Sequence, residues 1–102
     1  MATAFLHDDN GVPYEGGTPT NVSTNTTTNI KSGAGFLHRI TVNNPGSSWT
    51  ITVYDSTSGS GTKLATITPS LVGSLEYDVE FTTGLTVVTS GTTAGDITVS
   101  SV

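Results

Sequence analysis

The stretch SLEYDVEFTTGL, residues 74–85, decides the fold class of this chain. Every second residue in its first half is apolar, and in an extended strand these residues share one face: Leu75, Tyr77, Val79 and Phe81. The residues between them form a largely acidic face that has to meet solvent: Glu76, Asp78, Glu80 and Thr82. A period of two residues is typical of a half-buried β-strand.

The same alternation occurs earlier in the chain. In residues 36–43 it predicts an apolar face formed by Phe36, His38, Ile40 and Val42. It predicts an opposite, largely polar face formed by Leu37, Arg39, Thr41 and Asn43. In WTITVYD, residues 49–55, the inward positions are Trp49, Ile51 and Val53. As the largest apolar side chain, Trp49 is expected to anchor the core.

About seven short strands separated by turn-forming residues predict an all-β fold, either a single antiparallel β-sandwich or a small barrel-like domain. Threonine makes up about a fifth of the chain and favours strands. No helical spacing of apolar residues extends over three turns, so no substantial helix is expected. The predicted boundaries are an extended N-terminal arm at residues 1–21 and the sandwich domain at residues 22–102. Residues 22–29, VSTNTTTN, either pair at a sheet edge or stay mobile.

Charge and composition exclude several classes of partner. The formal net charge is −5, and the three basic residues, Lys31, Arg39 and Lys63, form no cluster, so no nucleic acid is expected as a partner. The chain has no cysteine, which excludes disulfides and thiolate metal sites. No segment has the roughly 20 apolar residues that span a bilayer, and the N-terminus lacks the features of a secretory signal. We therefore expect no membrane partner and synthesis in a cytoplasm.

The stretch VYDSTSGSGTKLA, residues 53–65, has some features of a phosphate-binding loop. Such a loop requires Gly-Lys-Ser/Thr at the start of a helix. Here the order is Gly-Thr-Lys, and the residues after Lys63 alternate like a strand. The stretch is therefore predicted to be a hairpin connection, in which Asp55 accepts hydrogen bonds from the next backbone amides and Gly59 and Gly61 adopt a positive φ.

The sequence predicts no catalytic, metal or cofactor site. His7, Asp8 and Asp9 lack the spacing of a calcium loop. His38 falls on an apolar face with no second histidine nearby, and no serine lies in a nucleophile elbow. The acidic face of residues 76–80 can hold a cation only if another strand lends oxygen ligands. We therefore expect a protein that is not an enzyme.

Three segments in a fixed order carry a resemblance to known proteins: GAGFLHRITVNNPG (33–46), WTITVYDSTSGSGTKLATI (49–67) and FTTGLTVVTSGTTAGDITVSSV (81–102). Together they resemble a group of small structural proteins of tailed bacteriophage particles, over residues 30–102. The matching features are a Gly-x-Leu-x-x-Ile opening, Tyr-Asp before a Ser/Gly turn, Gly-Thr-Lys after it, and a late Phe-x-x-Gly-Leu. Their positions are Gly35, Leu37, Ile40, Tyr54, Asp55, Gly61, Thr62, Lys63, Phe81, Gly84 and Leu85.

The resemblance implies a virion protein, and the expected role is that of a capsid decoration or cement protein on the outer surface of the shell. Its partner would be the major capsid protein. A homo-oligomer is expected, with a trimer favoured by repeated sites around a symmetry axis of the shell. A tail, baseplate or head-fibre component is the nearby alternative. A carbohydrate- or surface-binding β module is another, and it requires Trp49, Tyr54 or Tyr14 to be exposed beside carboxylates.

The N-terminal arm suits the cement interpretation. It carries isolated anchor residues between Gly, Asp and Asn: Phe5, Leu6, Val12, Pro13 and Tyr14. These are too few for a core of their own but enough to fill pockets on a partner. We expect such an arm to lay a strand on an open sheet edge of its partner and to become ordered on binding. An ordinary frayed terminus is the alternative.

Overall fold

The computed structural model describes residues 18–102, which form eight β-strands and no helix. Because turn residues interrupt the chain at short intervals, no strand is longer than ten residues. The all-β prediction is confirmed, with one strand more than the approximate number expected. The strands are β1 (Thr18–Val22), β2 (Thr27–Ser32), β3 (Gly35–Asn44), β4 (Ser47–Asp55), β5 (Thr62–Ile67), β6 (Gly73–Phe81), β7 (Gly84–Thr93) and β8 (Asp96–Ser101).

The strands form two antiparallel sheets of four, which pack face to face as a sandwich. One sheet has the order β1-β8-β3-β6 and the other has the order β2-β7-β4-β5. Among the described strands, only β4 and β5 are consecutive in the chain and neighbours in one sheet. Every other connection crosses from one sheet to the other, so each half of the core is assembled from distant parts of the sequence.

The core lies between the two sheets and is formed by apolar side chains of six strands, β1, β3, β4, β6, β7 and β8. Trp49, Ile51 and Val53 are fully buried, as their alternation predicts. The indole Nε1 of Trp49 donates a hydrogen bond of 2.7 Å to Oδ1 of Asn25, which satisfies the polar atom of the largest core residue. The core members are Val22, Leu37, Ile40, Val42, Trp49, Ile51, Val53, Phe81, Leu85, Val87, Ile97 and Val99.

Strand β3 departs from the alternation that its sequence predicts. Leu37 is fully buried, whereas Phe36 and His38 are half-buried, so the face assignment of these three residues is wrong. The register on both neighbouring strands shifts between Leu37 and Arg39, which marks a β-bulge at His38. Because a bulge adds one residue to a strand, it reverses the alternation beyond it. Leu37 and Ile40 thereby both face the core.

Strand β6 pairs with β3 across the same irregularity and forms an edge of its sheet. Asp78 has a φ of 47°, a left-handed conformation that is uncommon outside glycine but found at bulges. Phe81 is buried, but Leu75, at the other end of the strand, is 39% exposed. Burial along the apolar face of β6 is therefore uneven, complete at Phe81 and only partial at Leu75.

The sandwich begins earlier than the predicted boundary at residue 22. Residues Thr18–Val22 pair with β8, and Val22 is buried in the core. The open question about residues 22–29 is answered in part, because β2 pairs with β7 as an edge strand from Thr27 onward. The anchor residues predicted in the arm, Phe5, Leu6, Val12, Pro13 and Tyr14, lie outside the described residues.

The bulge at His38 makes a testable prediction about stability. Leu37→Ala should reduce the free energy of unfolding by about 2–5 kcal/mol, because it opens a cavity in the core. Phe36→Ala should cost less, because Phe36 is only half-buried and packs edge-on against His38, with ring centroids 5.2 Å apart. Urea unfolding of both variants measures the two costs. A larger loss for Phe36→Ala would mean that the uninterrupted alternation is correct.

Candidate functional site

The connection between β4 and β5 is a hairpin, as predicted, and not a phosphate-binding loop. Residues 56–61 turn back on themselves: the Ser56 hydroxyl accepts a hydrogen bond of 2.9 Å from the backbone N–H of Ser58. Gly61 has a φ of 115°, as predicted, whereas Gly59 does not adopt the positive φ predicted for it. Lys63 lies within β5, opposite Tyr54. Because a strand and not a helix follows the turn, no helix N-terminus faces this loop.

Asp55 has different hydrogen-bond partners from those predicted. Its carboxylate accepts hydrogen bonds from the backbone N–H groups of Thr82, Thr83 and Gly84, at distances of 2.8–3.3 Å. These amides lie 27 to 29 residues further along the chain, whereas the expected donors were the next amides in the hairpin. The hydroxyl of Thr82 also donates to this carboxylate, at 3.2 Å. Asp55 therefore ties the end of β4 to the turn between β6 and β7.

The turn at residues 82–84 resembles the concave amide arrangements that bind anions in other proteins, but here a side chain of the same chain fills it. The backbone N–H groups of Thr83 and Thr82 lower the pKa of Asp55 below its ordinary value of 3.8. All three amides already have an acceptor within the fold. The arrangement therefore serves to join the two sheets and offers no anion site.

The predicted acidic face of β6 exists, on the outer side of its sheet. Arg39 Nε lies 3.1 Å from Glu76 Oε2, and His38 Nδ1 lies 3.5 Å from Asp78 Oδ1. Both pairs are solvent-exposed at the carboxylate, and pairs of this kind contribute little to stability. Within residues 18–102, no three His, Asp or Glu side chains come close enough to hold a metal ion.

Two aromatic residues bear on the alternative of sugar binding. Trp49 has no exposed surface, so it offers no stacking platform. Tyr54 is half-buried on the outward face of β4, opposite Lys63 on one neighbour and Thr86 on the other. Tyr14 lies outside the described residues. Of the two platform residues that the structure describes, Tyr54 is partly exposed and Trp49 is not.

The most apolar feature of the described surface was missed by the sequence analysis. The connection between β5 and β6 exposes Leu71 and Val72 at 78% and 67%. With Pro69 and Leu75 these side chains line a groove of about 350 Å³ at the edge formed by β5 and β6. The signal was the segment PSLVG, residues 69–73, where two apolar residues follow each other outside any strand alternation.

A second, more polar depression lies at the opposite edge of the sandwich. It has a volume of about 270 Å³ and is lined by residues of β1, β2 and the C-terminus: Thr18, Thr20, Ile30, Lys31, Ser101 and Val102. The described chain begins here at Thr18. Thr18 therefore lies at the edge of the sandwich opposite the apolar groove.

No known protein family, curated protein or solved structure matches this chain. Among residues 18–102 there is also no helix that is long and apolar enough to cross a membrane.

The hydrogen bonds of Asp55 predict a pH dependence of stability. Because its folded pKa is lowered, the stabilisation by Asp55 is complete above the ordinary value of 3.8 and is lost as the pH falls through the lower folded pKa. Asp55→Asn should be less stable than wild type at neutral pH, and the difference should shrink below pH 3.8. Urea unfolding at several pH values measures this. Glu80→Gln, on an exposed position, is the control and should leave the acid dependence unchanged.

The burial of the single tryptophan predicts its fluorescence. Emission from Trp49 should be blue-shifted and should resist quenching by acrylamide, because the indole has no exposed surface. A red-shifted, readily quenched signal would contradict this placement and would reopen the sugar-binding alternative.

Proposed function

We propose that this chain is a non-enzymatic structural protein of a tailed bacteriophage virion. Its role would be that of a capsid decoration or cement protein, which binds the outer surface of the assembled shell and stabilises it. The observation that carries the proposal is the ordered resemblance over residues 30–102. The proposed location is the capsid surface, after synthesis in the host cytoplasm.

The positions that carry the resemblance have structural roles in this sandwich, which supports a shared fold. A Cβ atom on Gly35 would lie 2.6 Å from the ring of Phe81, so only glycine fits beside this core residue. Leu37 and Ile40 are buried core residues. Asp55 accepts hydrogen bonds from the turn that ends at Gly84, as described above. The resemblance thus concerns residues that build the scaffold. The proposed location on a phage particle comes from the resemblance alone.

A cement protein has to add binding energy across the joints between shell subunits. Its proposed partner is the major capsid protein, and the proposed contact is the N-terminal segment with its anchors Phe5, Leu6, Val12, Pro13 and Tyr14. An extended segment can pair with a sheet edge of its partner, where backbone hydrogen bonds supply affinity and apolar side chains fill pockets. The strand that follows this segment in the sequence, β1, lies at an edge of its sheet. A trimer around a local symmetry axis of the shell is the proposed oligomer.

The proposal predicts different effects of one truncation on stability and on binding. Removing residues 1–17 should leave the melting temperature nearly unchanged, because β1 starts at Thr18 and the core residues all lie after it. The same truncation should abolish co-sedimentation of the purified protein with undecorated, expanded phage capsids. Tyr14→Ala should weaken co-sedimentation, and His7→Ala is the matched control for a residue that is not an anchor.

The outcomes separate the proposal from its alternatives. Full-length protein that fails to bind capsids would overturn the cement function and favour a tail, baseplate or head-fibre position. Binding that survives removal of residues 1–17 would assign the contact to the sandwich instead. A large fall in melting temperature would make the segment part of the fold. Carbohydrate or surface binding by the module is the weaker alternative, because Trp49 is buried.

A further inference from the structure

Strand β6 forms an edge of its sheet. Among the strands of residues 18–102 it is the last in the order, with β3 on one side and no other described strand beyond it. Its first four residues, Gly73 to Glu76, are all exposed. An edge strand presents unpaired N–H and C=O groups to which another extended chain can add.

The inner side of this edge is apolar. Leu71, Val72 and Leu75 lie along the groove described above, whose floor is formed by Val42 and Ile67. Leu71 and Val72 belong to the connection between the sheets and contribute little to the core, since most of their surface is in solvent. Exposed large apolar residues that line a groove beside a free strand edge are typical of a binding surface.

The outer side of the same edge is acidic. Glu76, Asp78 and Glu80 point away from the core, and their basic neighbours on β3 are Arg39 and His38. No Lys, Arg or His of residues 18–102 lies within ion-pair distance of Glu80. The edge is thus amphipathic: a strand added beside β6 would have one face against apolar side chains and the other against carboxylates.

The carboxylates on the outer side of β6 favour an occupant that carries positive charge, and this excludes two candidates. A second copy pairing through its own β6 would bring carboxylates against carboxylates, and like charges on neighbouring strands destabilise a sheet. The N-terminal segment of this chain carries Asp8, Asp9 and Glu15 and has no Lys or Arg in residues 1–17. Neither occupant complements the acidic face.

We propose that the β6 edge and its groove bind an extended segment of another protein in which apolar residues alternate with Lys or Arg. The segment pairs with the backbone of β6 in the region Gly73 to Glu76. Its apolar side chains enter the groove beside Leu71 and Val72, and its basic side chains lie over the acidic face toward Glu80. The bulge at Tyr77 and Asp78 interrupts regular pairing, so the backbone contact with the bound segment is short. Beyond the bulge, the contact continues as ion pairs between the segment's basic side chains and the carboxylates of β6. This surface is separate from the N-terminal segment, so the inference does not depend on the capsid function.

The test uses the full-length protein and a synthetic peptide of alternating valine and lysine. A control peptide of the same composition has all its lysines at one end, and a second control has glutamate in place of lysine. We expect only the alternating lysine peptide to shift the NMR amide signals of β6 and of residues 69–72 and to slow amide exchange at Gly73 to Glu76. Equal binding of either control peptide, or shifts elsewhere on the surface, would overturn the proposal.

Variants test separately whether the peptide contacts the apolar side and the acidic side of the β6 edge. Leu71→Ser combined with Val72→Ser should weaken peptide binding roughly tenfold or more, because the apolar contact is lost. Both residues are mostly exposed, so the melting temperature should stay near that of wild type. Glu80→Gln should weaken binding about two- to fivefold, as expected for one cross-strand charge pair. Ser90→Lys changes the net charge equally on the other sheet and should have no effect.

Two further outcomes would assign the groove to another occupant and refute the proposal. If removing residues 1–17 alone shifts the β6 signals and raises peptide affinity, the chain covers the groove with its own N-terminal segment. If the protein self-associates and the Leu71→Ser, Val72→Ser variant does not, a second copy is the occupant. None of these measurements uses capsids, so a failure here is distinct from a failure of the cement function.

Discussion

The burial of one apolar layer between two small sheets is the constraint on which the whole structure depends. Twelve buried side chains supply this layer, and the largest of them is Trp49. In a chain of this length the core is small, so each inward side chain supplies a large share of the buried apolar surface. The chain has no disulfide that could compensate for poor packing. The bulge at His38 follows from this constraint, because it brings both Leu37 and Ile40 into the layer.

Polar side chains also stabilise the fold, because they hold the connections between the two sheets in place. Most strands pass from one sheet to the other through short turns, so the two sheets have to be held in register at their ends. Asp55 does this at one end, where its carboxylate gathers three consecutive amides of a distant turn. Asn25 has a similar role beside the core, since it accepts from Trp49 and donates to the backbone of Gly91. These two polar side chains thus serve the scaffold.

The surface presents two different edges, and this asymmetry bears on function. One edge is formed by β1 and β2, where the described chain starts beside a polar depression. The other is formed by β5 and β6 and carries an apolar groove next to an acidic strand. A small scaffold with distinct edges is suited to linking two neighbours on a larger assembly, which is what the proposed cement function requires. In the two proposals, the N-terminal segment and the β6 edge each bind a neighbour through backbone pairing and side-chain contact.

The sequence by itself determined the class of the fold and much of its core. The alternation at Trp49, Ile51 and Val53 predicts their burial, and the turn residues predict the hairpin before Lys63, because both signals are local. The tertiary structure alone decided the bulge at His38, the distant donors of Asp55, the entry of Thr18 into the sheet and the exposure of Leu71 and Val72. Each of these depends on which strands become neighbours across the sandwich. Strand pairing between residues far apart in the chain leaves no local signal, since it is set by the packing of the two sheets as a whole.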